Sequence, residues 1–437
     1  MLDQTQTPQG LTRWYQIGPG EGRVLVLAFA YFFFLLASYY VLRPVRDEMA
    51  VRSGVRSMPW LFTATFVVSV ALAPIYGALV AKLRRGVFIP VVYGFLALNI
   101  LAFWALLRGG VALDIAAMSF FVWLSVFNVF AVSVFWSFMA DLFDIEQAKR
   151  LYPLIAAGGS LGGLAGSMMV TGLATVVGPA NLLLIAAALL LAALVLAVWL
   201  DNVGREEGAM RNAPRTWGEG TGGGWLAGLS DIVRSPYLAG IALWVFALSL
   251  AGTFAYNMQV DIVGRSGLDS AGRTQIFGTV DLATNILIPL IQLTIARAFL
   301  QRLGVGVTLA VVAVVFFLGF ATLSTAPILA VLVAFQVAQR TGQFALSNPA
   351  REALFTVLGP EEIYKAKNVI DNAVFRGSDV ASAWLFNLLH SGLGFGLSAL
   401  ALIGAGAAMA WAGLSLALGQ AQKRESAKHL HKEAVVT

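Results

Sequence analysis

The chain has 437 residues, of which 59% are hydrophobic and only 12% charged, with a formal net charge of +6 and no cysteine. A soluble domain carries about 25% charge, so this composition excludes an ordinary soluble protein and predicts an integral membrane protein. It also excludes disulfides, thiolate metal sites and cysteine nucleophiles. The surplus positive charge falls in loops, as the positive-inside rule expects, and does not form a nucleic-acid footprint.

Met1 to Glu21 is polar and does not read as a cleavable signal peptide; the first apolar run starts at Val24. Apolar runs of about 20 residues then recur to the end, each able to cross a hydrocarbon core of about 30 Å. They predict an all-α integral membrane protein of about twelve transmembrane helices, near 23–44, 58–82, 87–107, 115–141, 151–176, 179–200, 236–260, 272–299, 304–323, 326–351, 364–390 and 394–418. An even count places both termini on one side. That side carries most of the Lys and Arg, so both termini are expected in the cytoplasm.

The first helix ends in Tyr39-Tyr40-Val41-Leu42-Arg43-Pro44-Val45-Arg46-Asp47-Glu48. Arg43 and Asp47 are four apart and can pair along a helix, leaving Arg46 to meet an anion in a bidentate fork. An ordinary charged outer loop fits the same residues equally well, because Arg52 and Arg56 follow. Lys82, Arg84 and Arg85 after the second helix read as an orienting cluster. The fifth helix holds Gly158, Gly159, Gly162, Gly163 and Gly166, a pattern for close helix packing; it lacks the GxxxxGK[ST] order of a phosphate loop.

Residues 201–235 form the one long polar segment and read as a cytoplasmic linker between an N-terminal bundle (1–200) and a C-terminal bundle (236–418), with 419–437 as a tail. Trp225, Leu226, Leu229, Ile232 and Val233 within the linker suggest a short interfacial helix. The halves echo each other: Pro74 and Lys82 stand against Pro289 and Arg297, Leu142-Phe143 against Leu354-Phe355, and Ala148-Lys149 against Ala366-Lys367. Two six-helix pseudo-repeats around a midplane site are the architecture of major-facilitator transporters.

The second half carries polar stripes at helical spacing. The seventh helix has Ser249, Thr253, Tyr256 and Asn257; the eighth has Thr274, Asp281, Asn285 and Gln292. The tenth has Gln336, Gln339, Arg340, Gln343 and Ser347, and the eleventh Asn368, Asn372, Arg376, Asp379 and Ser382. Interhelical hydrogen bonding accounts for the Ser and Thr members. A cation at the bilayer centre costs roughly 2.5–3.5 kcal/mol on insertion scales, so Arg340 and Arg376 predict a wet cavity that holds an anion. Asp281 and Asp379 are candidates for ion pairing or for carrying a coupling proton. His390, His429 and His431 share no metal-ligand spacing and no Ser-His-Asp arrangement stands out, so neither an enzyme nor a cofactor is expected.

Several segments together resemble the plastid and bacterial ATP/ADP carriers, which are major-facilitator-like nucleotide exchangers. Leu42-Arg43-Pro44-Val45-Arg46-Asp47 is similar to that family's L-R-x-L-K-D signature. Phe135-Trp136-Ser137-Phe138-Met139-Ala140 and Glu146-Gln147-Ala148-Lys149-Arg150-Leu151-Tyr152-Pro153 resemble its F-W-G-F-A and E-A-K-K-F-Y-P run. Asn348-Pro349-Ala350-Arg351-Glu352, then Lys365-Ala366-Lys367, Ile370-Asp371 and Arg376, are similar to its D-P-x-K-E…K-x-K…I-D…R pattern. The resemblance implies a multi-pass protein of a bacterial inner membrane that acts as an antiporter, exchanging ATP and ADP or related nucleotides, with Arg46 in place of the family's first-helix lysine. It departs from the family at three charged positions. An early fourth-helix acid falls among apolar residues, with Ser125 and Asn128 nearest. A seventh-helix glutamate falls at Tyr256 and Asn257, and an eleventh-helix lysine at Asp379.

The expected substrate site therefore comprises Arg43, Arg46, Asp47, Asn128, Tyr256, Asn257, Arg340, Gln343, Asp371 and Arg376, with Tyr256 to stack a base. The expected partners are an anionic small molecule, a nucleotide above all, and the lipid bilayer, with the chain acting as a monomer. Two other readings fit the same residues: a proton-coupled transporter of another metabolite, and a non-transporting scaffold or receptor built on a transporter fold.

Overall fold

The computed structural model describes residue 18 and residues 21–82, 85–110, 112–206, 230, 232–358, 366–367 and 369–436, with side chains except at 73–82, 85–87, 145, 205–206 and 428–436. No strand occurs among the described residues. Among the described residues thirteen α-helices follow one another, the eight-residue Asn348–Phe355 and twelve longer ones: α1 (Glu21–Ser53), α2 (Met58–Lys82), α3 (Arg85–Gly109), α4 (Leu113–Leu142), α5 (Ile145–Val177), α6 (Pro179–Glu206), α7 (Pro236–Gly264), α8 (Ser270–Ile291), α9 (Gly304–Thr325), α10 (Leu329–Gly342), α11 (Phe375–Asn387) and α12 (Leu397–Val436). Five π-helical turns accompany them among the described residues, all in the second half: Gln292–Ala296 and Phe299–Leu303 after α8, Gln343–Ser347 after α10, and Val369–Val374 and Leu388–Gly392 on either side of α11. Beyond the turn after α10 the chain stays helical over Asn348–Phe355. Among the described residues, ten of the numbered helices are long and apolar enough to cross a membrane. The other two carry the stripes of Arg340 and Arg376: α10 runs into a π turn at its C-terminal end, and α11 has one on either side.

Three helices outrun their expected ends. The first does not stop at Pro44 but continues through it to Ser53, so Arg43 to Glu48 is helix rather than outer loop. Val45 and residues 47–51 are buried, and tertiary packing outweighs the backbone hydrogen bond that the proline cannot make. The helix ends at Gly54, whose φ of 76° suits a residue without Cβ. The sixth helix extends past 200 to Glu206, and the twelfth past 418 to Val436, through a run of good helix formers. Arg84, the Gly-rich 218–224 segment, Trp225, Leu226, Leu229, Lys365 and Asn368 lie outside the described residues, as do the side chains of Lys82, Arg85, His429 and His431. Within the suggested interfacial stretch, Ile232 is buried and Val233 exposed.

The chain divides into two compact units, one containing the described parts of 1–46 and 69–216, the other those of 47–68 and 217–437. In the first unit, the glycines of α5 lie against the backbone of α1. A Cβ at Gly158, Gly162 or Gly166 would come within 2.5 Å, 2.1 Å and 2.5 Å of the carbonyls of Phe29, Phe33 and Ala37. Such contact is possible only without side chains, so the sequence pattern and the packing agree. The Ser38 hydroxyl donates to the Ala186 carbonyl at 2.8 Å, tying α1 to α6. Tyr31 donates to Tyr93, which donates to the Ala131 carbonyl, so both buried phenols are satisfied. At the start of α5, Asp144 and Gln147 form a capping box. Arg150 and Gln147 then reach Glu21 at 3.1 Å and 3.0 Å.

In the second unit, α9 and α12 cross where Gly306 meets Gly419; a Cβ on Gly419 would come within 2.3 Å of the Gly306 Cα. The buried Trp244 indole donates to Ser415 at 2.9 Å, joining α7 to α12. Phe316, Phe320 and Phe335 pack together between α9 and α10. The surface is rich in aliphatic side chains, Leu293, Leu402 and Val195 among them, as an acyl-chain environment allows and water does not.

Candidate functional site

The second unit buries two polar clusters within its apolar helices. The first gathers side chains from the end of α1 and from α7, α8 and α10. Arg340 on α10 donates from Nη1 to Asp281 Oδ1 of α8 at 2.8 Å, and its Nη2 lies 4.0 Å from Asp47 Oδ2 of α1. The Tyr256 hydroxyl of α7 donates to the other oxygen of Asp47 at 2.9 Å. Asp47 and Asp281 are each 1% exposed and Arg340 is 8% exposed. The charge-assisted hydrogen bond makes Asp281 the principal partner of Arg340, and the Asp47 contact adds a longer-range attraction. Next to it on α1, Glu48 lies 3.9 Å from Arg273 at the start of α8. Gln339 donates to Gln336 at 2.8 Å within the α10 stripe.

The second cluster joins α7 to α11. Ser249 and Thr253 both donate to Asp379 Oδ1 at 2.6 Å, and Ser249 Oγ is also 3.0 Å from the Phe375 carbonyl. Arg376 lies 3.8 Å from Asp379 Oδ2, and its side chain is 31% exposed. Ser378 and Ser382 donate back to the Phe246 and Leu250 carbonyls of α7 at 2.9 Å and 2.8 Å. The hydroxyls of this seam link α7 to α11 by hydrogen bonds, as expected from their residue types.

The other expected site residues are distributed around these clusters. Asn257, fully buried, donates to the Thr253 carbonyl at 2.7 Å. Gln343 opens the π turn after α10 and is half-buried. Asp371 is engaged by Arg351 at 3.3 Å, while Arg351 also meets Glu352 at 3.2 Å and Lys367 pairs with Glu352. The residues of the Arg351-Glu352…Lys367…Asp371 motif thus form one ion-pair quartet. In the first unit, the Arg43 guanidinium lies over the Tyr40 ring at 5.8 Å and that of Arg46 over the Phe121 ring at 5.3 Å. Asn128 is half-buried on α4.

Two of the expected site residues have partners within the protein. Arg340 is an internal ion-pair partner, as a guanidinium this deep needs carboxylates to offset its lost hydration. Tyr256 uses its hydroxyl on Asp47 and meets Phe62 edge-on, with centroids 5.9 Å apart. Glu48, Arg273 and the Asp261–His390 approach at 3.8 Å stand outside the expected site. The Arg-Asp-Glu run after Pro44 signalled the first; nothing in the spacing linked the rest. Among the described residues, no group of three or more His, Cys, Asp or Glu could hold a metal ion.

No protein-family profile and no curated protein matches the sequence. Solved structures do match. The nucleoside transporter NupG superposes with a TM-score of 0.65 at 15% identity, covering 92% of this chain and 100% of that one. A POT family transporter in complex with 5-aminolevulinic acid gives 0.62 at 12% identity, covering 93% and 99%. A bacterial homolog of the human lysosomal transporter Spinster, inward-facing and unoccupied, gives 0.57 at 14% identity, covering 94% and 98%. The chain accordingly has the all-α, major-facilitator-like fold of a multi-pass membrane protein.

Proposed function

We propose that this chain is a secondary active transporter that exchanges nucleotides or related phosphorylated anions by alternating access. The observation that carries the reading is Arg376, an arginine in an apolar helical protein whose side chain is 31% exposed and lies 3.8 Å from Asp379, its one carboxylate partner among the described residues. A guanidinium so loosely paired retains most of its capacity to bind a phosphate or carboxylate. Arg340 serves the site differently. It holds Asp47 of α1, Asp281 of α8 and its own α10 in one buried network, fixing the frame around the polar stripes of α7 and α10. The sequence resemblance to ATP/ADP carriers and the structural likeness to a nucleoside transporter support a nucleotide as cargo. Exchange requires no ATPase motif, because differential binding of cargo shifts the populations of the transport states.

The test is thermal stabilisation of the purified protein by AMP, ADP, ATP, sugar phosphates and carboxylates, followed by counterflow in liposomes. Stabilisation that grows with phosphate number supports the nucleotide reading. Stabilisation by neutral or cationic compounds alone overturns it.

A second reading, proton-coupled uptake, is favoured by one observation: Asp47 and Asp281, two buried carboxylates on different helices, both approach Arg340, and intramembrane carboxylates are the groups that proton relays use. Uptake driven by an imposed pH gradient, without internal substrate, would separate it from exchange.

A further inference from the structure

Asp379 lies where oxygen atoms from two helices meet. The Ser249 hydroxyl has one hydrogen, yet two acceptors stand within reach: Asp379 Oδ1 at 2.6 Å and the Phe375 carbonyl at 3.0 Å. Thr253 spends its only hydrogen on the same Oδ1 at 2.6 Å. Four oxygens from two helices therefore converge: a carboxylate, two hydroxyls and a main-chain carbonyl. Asp379, Ser249 and Thr253 are 7%, 4% and 6% exposed. The π turn Val369–Val374 ends immediately before Phe375, which opens α11. Main-chain carbonyls beside polar side chains are among the groups with which membrane transporters hold small cations.

We propose that Asp379, Ser249, Thr253 and the Phe375 carbonyl form a binding site for a monovalent cation, Na+, whose occupancy is governed by Arg376. The donor set is all oxygen and carries a single formal charge, which suits a hard monovalent ion and is too weakly charged for a divalent one. A proton fits less well, since Oδ1 already accepts two short bonds and Oδ2 faces a guanidinium. Arg376 supplies the control. While it pairs with Asp379 at 3.8 Å, its positive charge opposes the cation. When an anionic substrate takes the guanidinium, Asp379 loses its counter-charge and the oxygen cage takes Na+ in its place. Substrate and cation then bind with positive, reciprocal coupling. The coupling rests on the anion-transport reading above, whereas the cation site does not.

The experiment is the thermal unfolding midpoint of the purified full-length protein, titrated with NaCl against KCl and choline chloride at equal ionic strength, without any anionic substrate. A saturable, Na+-selective rise is expected. Asp379→Asn should abolish it, and Ser249→Ala, which keeps the carboxylate, should weaken apparent Na+ affinity about tenfold, an expectation based on loss of one of four ligands. Arg376→Ala should strengthen Na+ binding by removing the opposing charge, an effect that a purely structural seam would not give. Equal responses to Na+, K+ and choline overturn the site, as does a Na+ response that survives in both Asp379→Asn and Ser249→Ala. ATP or ADP is then added at fixed Na+. A Na+ response without any nucleotide response keeps the cation site and removes the nucleotide; the converse removes the cation site alone.

Discussion

Arg340 shows how much a single residue reveals from sequence alone and what it conceals. Its insertion cost marks it, with Arg376, Asp281 and Asp379, as polar groups that must find partners inside the protein. The partners themselves were not legible, because no periodicity relates residue 340 to residues 281 and 47, which lie on different helices. Breaking a buried pair by removing one member costs about 3–5 kcal/mol, since the other charge stays buried. Arg340→Met should therefore lower thermal stability by an amount in that range, and Asp281→Asn by a similar amount. The double variant Asp281→Asn/Arg340→Met should recover part of the loss, as coupled neighbours do; a strictly additive result in a thermal melt would deny the pairing. The hydroxyl positions were easier to read. Ser249, Ser378 and Ser382 bond across to α11 or α7, because a buried hydroxyl beside another helix has few alternatives.

At the scale of elements, the glycine pattern of α5 was fully legible, since small residues at every fourth position serve one purpose in an apolar helix. Gly162→Ala would drive a Cβ to 2.1 Å from the Phe33 carbonyl, so α1 and α5 must separate. A loss of about 1–3 kcal/mol is expected, the range for overpacking. Gly172 on the same helix has nothing within 4 Å of its Cβ position. Gly172→Ala should instead be neutral or gain up to about 1 kcal/mol in helix propensity, and equal losses at the two positions would refute the packing account. Helix ends were less legible. Pro44 signals a terminus locally, yet α1 runs on because buried neighbours on both sides hold it. The ion-pair quartet past the apolar part of the tenth helix adds a pH dependence. Burial works to raise the Glu352 carboxyl, but Lys367 and Arg351 outweigh it and hold it below the ordinary range. A depressed carboxyl contributes stability above its unfolded pKa of about 4.3, and that stability is lost as pH falls through the folded value. Acidification to about pH 4 should thus destabilise the wild type more than Glu352→Gln, as differential melting would record.

At the scale of the molecule, composition and repeated apolar runs sufficed for the fold class, because only helices or closed barrels satisfy backbone groups in lipid. The resemblance to ATP/ADP carriers implied an activity as well, although three of the charged positions that family uses are altered here. Orientation is open to a clean test, since the chain has no cysteine of its own. A cysteine at Ala427 on α12 is expected to react with impermeant maleimide only from the cytoplasmic face, and one at Arg56 only from the opposite face; the reverse pattern would invert the topology. The central claim, that loosely paired arginine within this bundle serves anion exchange, is tested most directly by counterflow. Labelled ATP is offered to liposomes that carry the protein and are loaded with ADP, comparing wild type with Arg376→Ala. Saturable accumulation by the wild type, reduced at least about tenfold in the variant as loss of a charge-assisted contact implies, is the predicted result; no accumulation by the wild type, or equal accumulation by both, would contradict it.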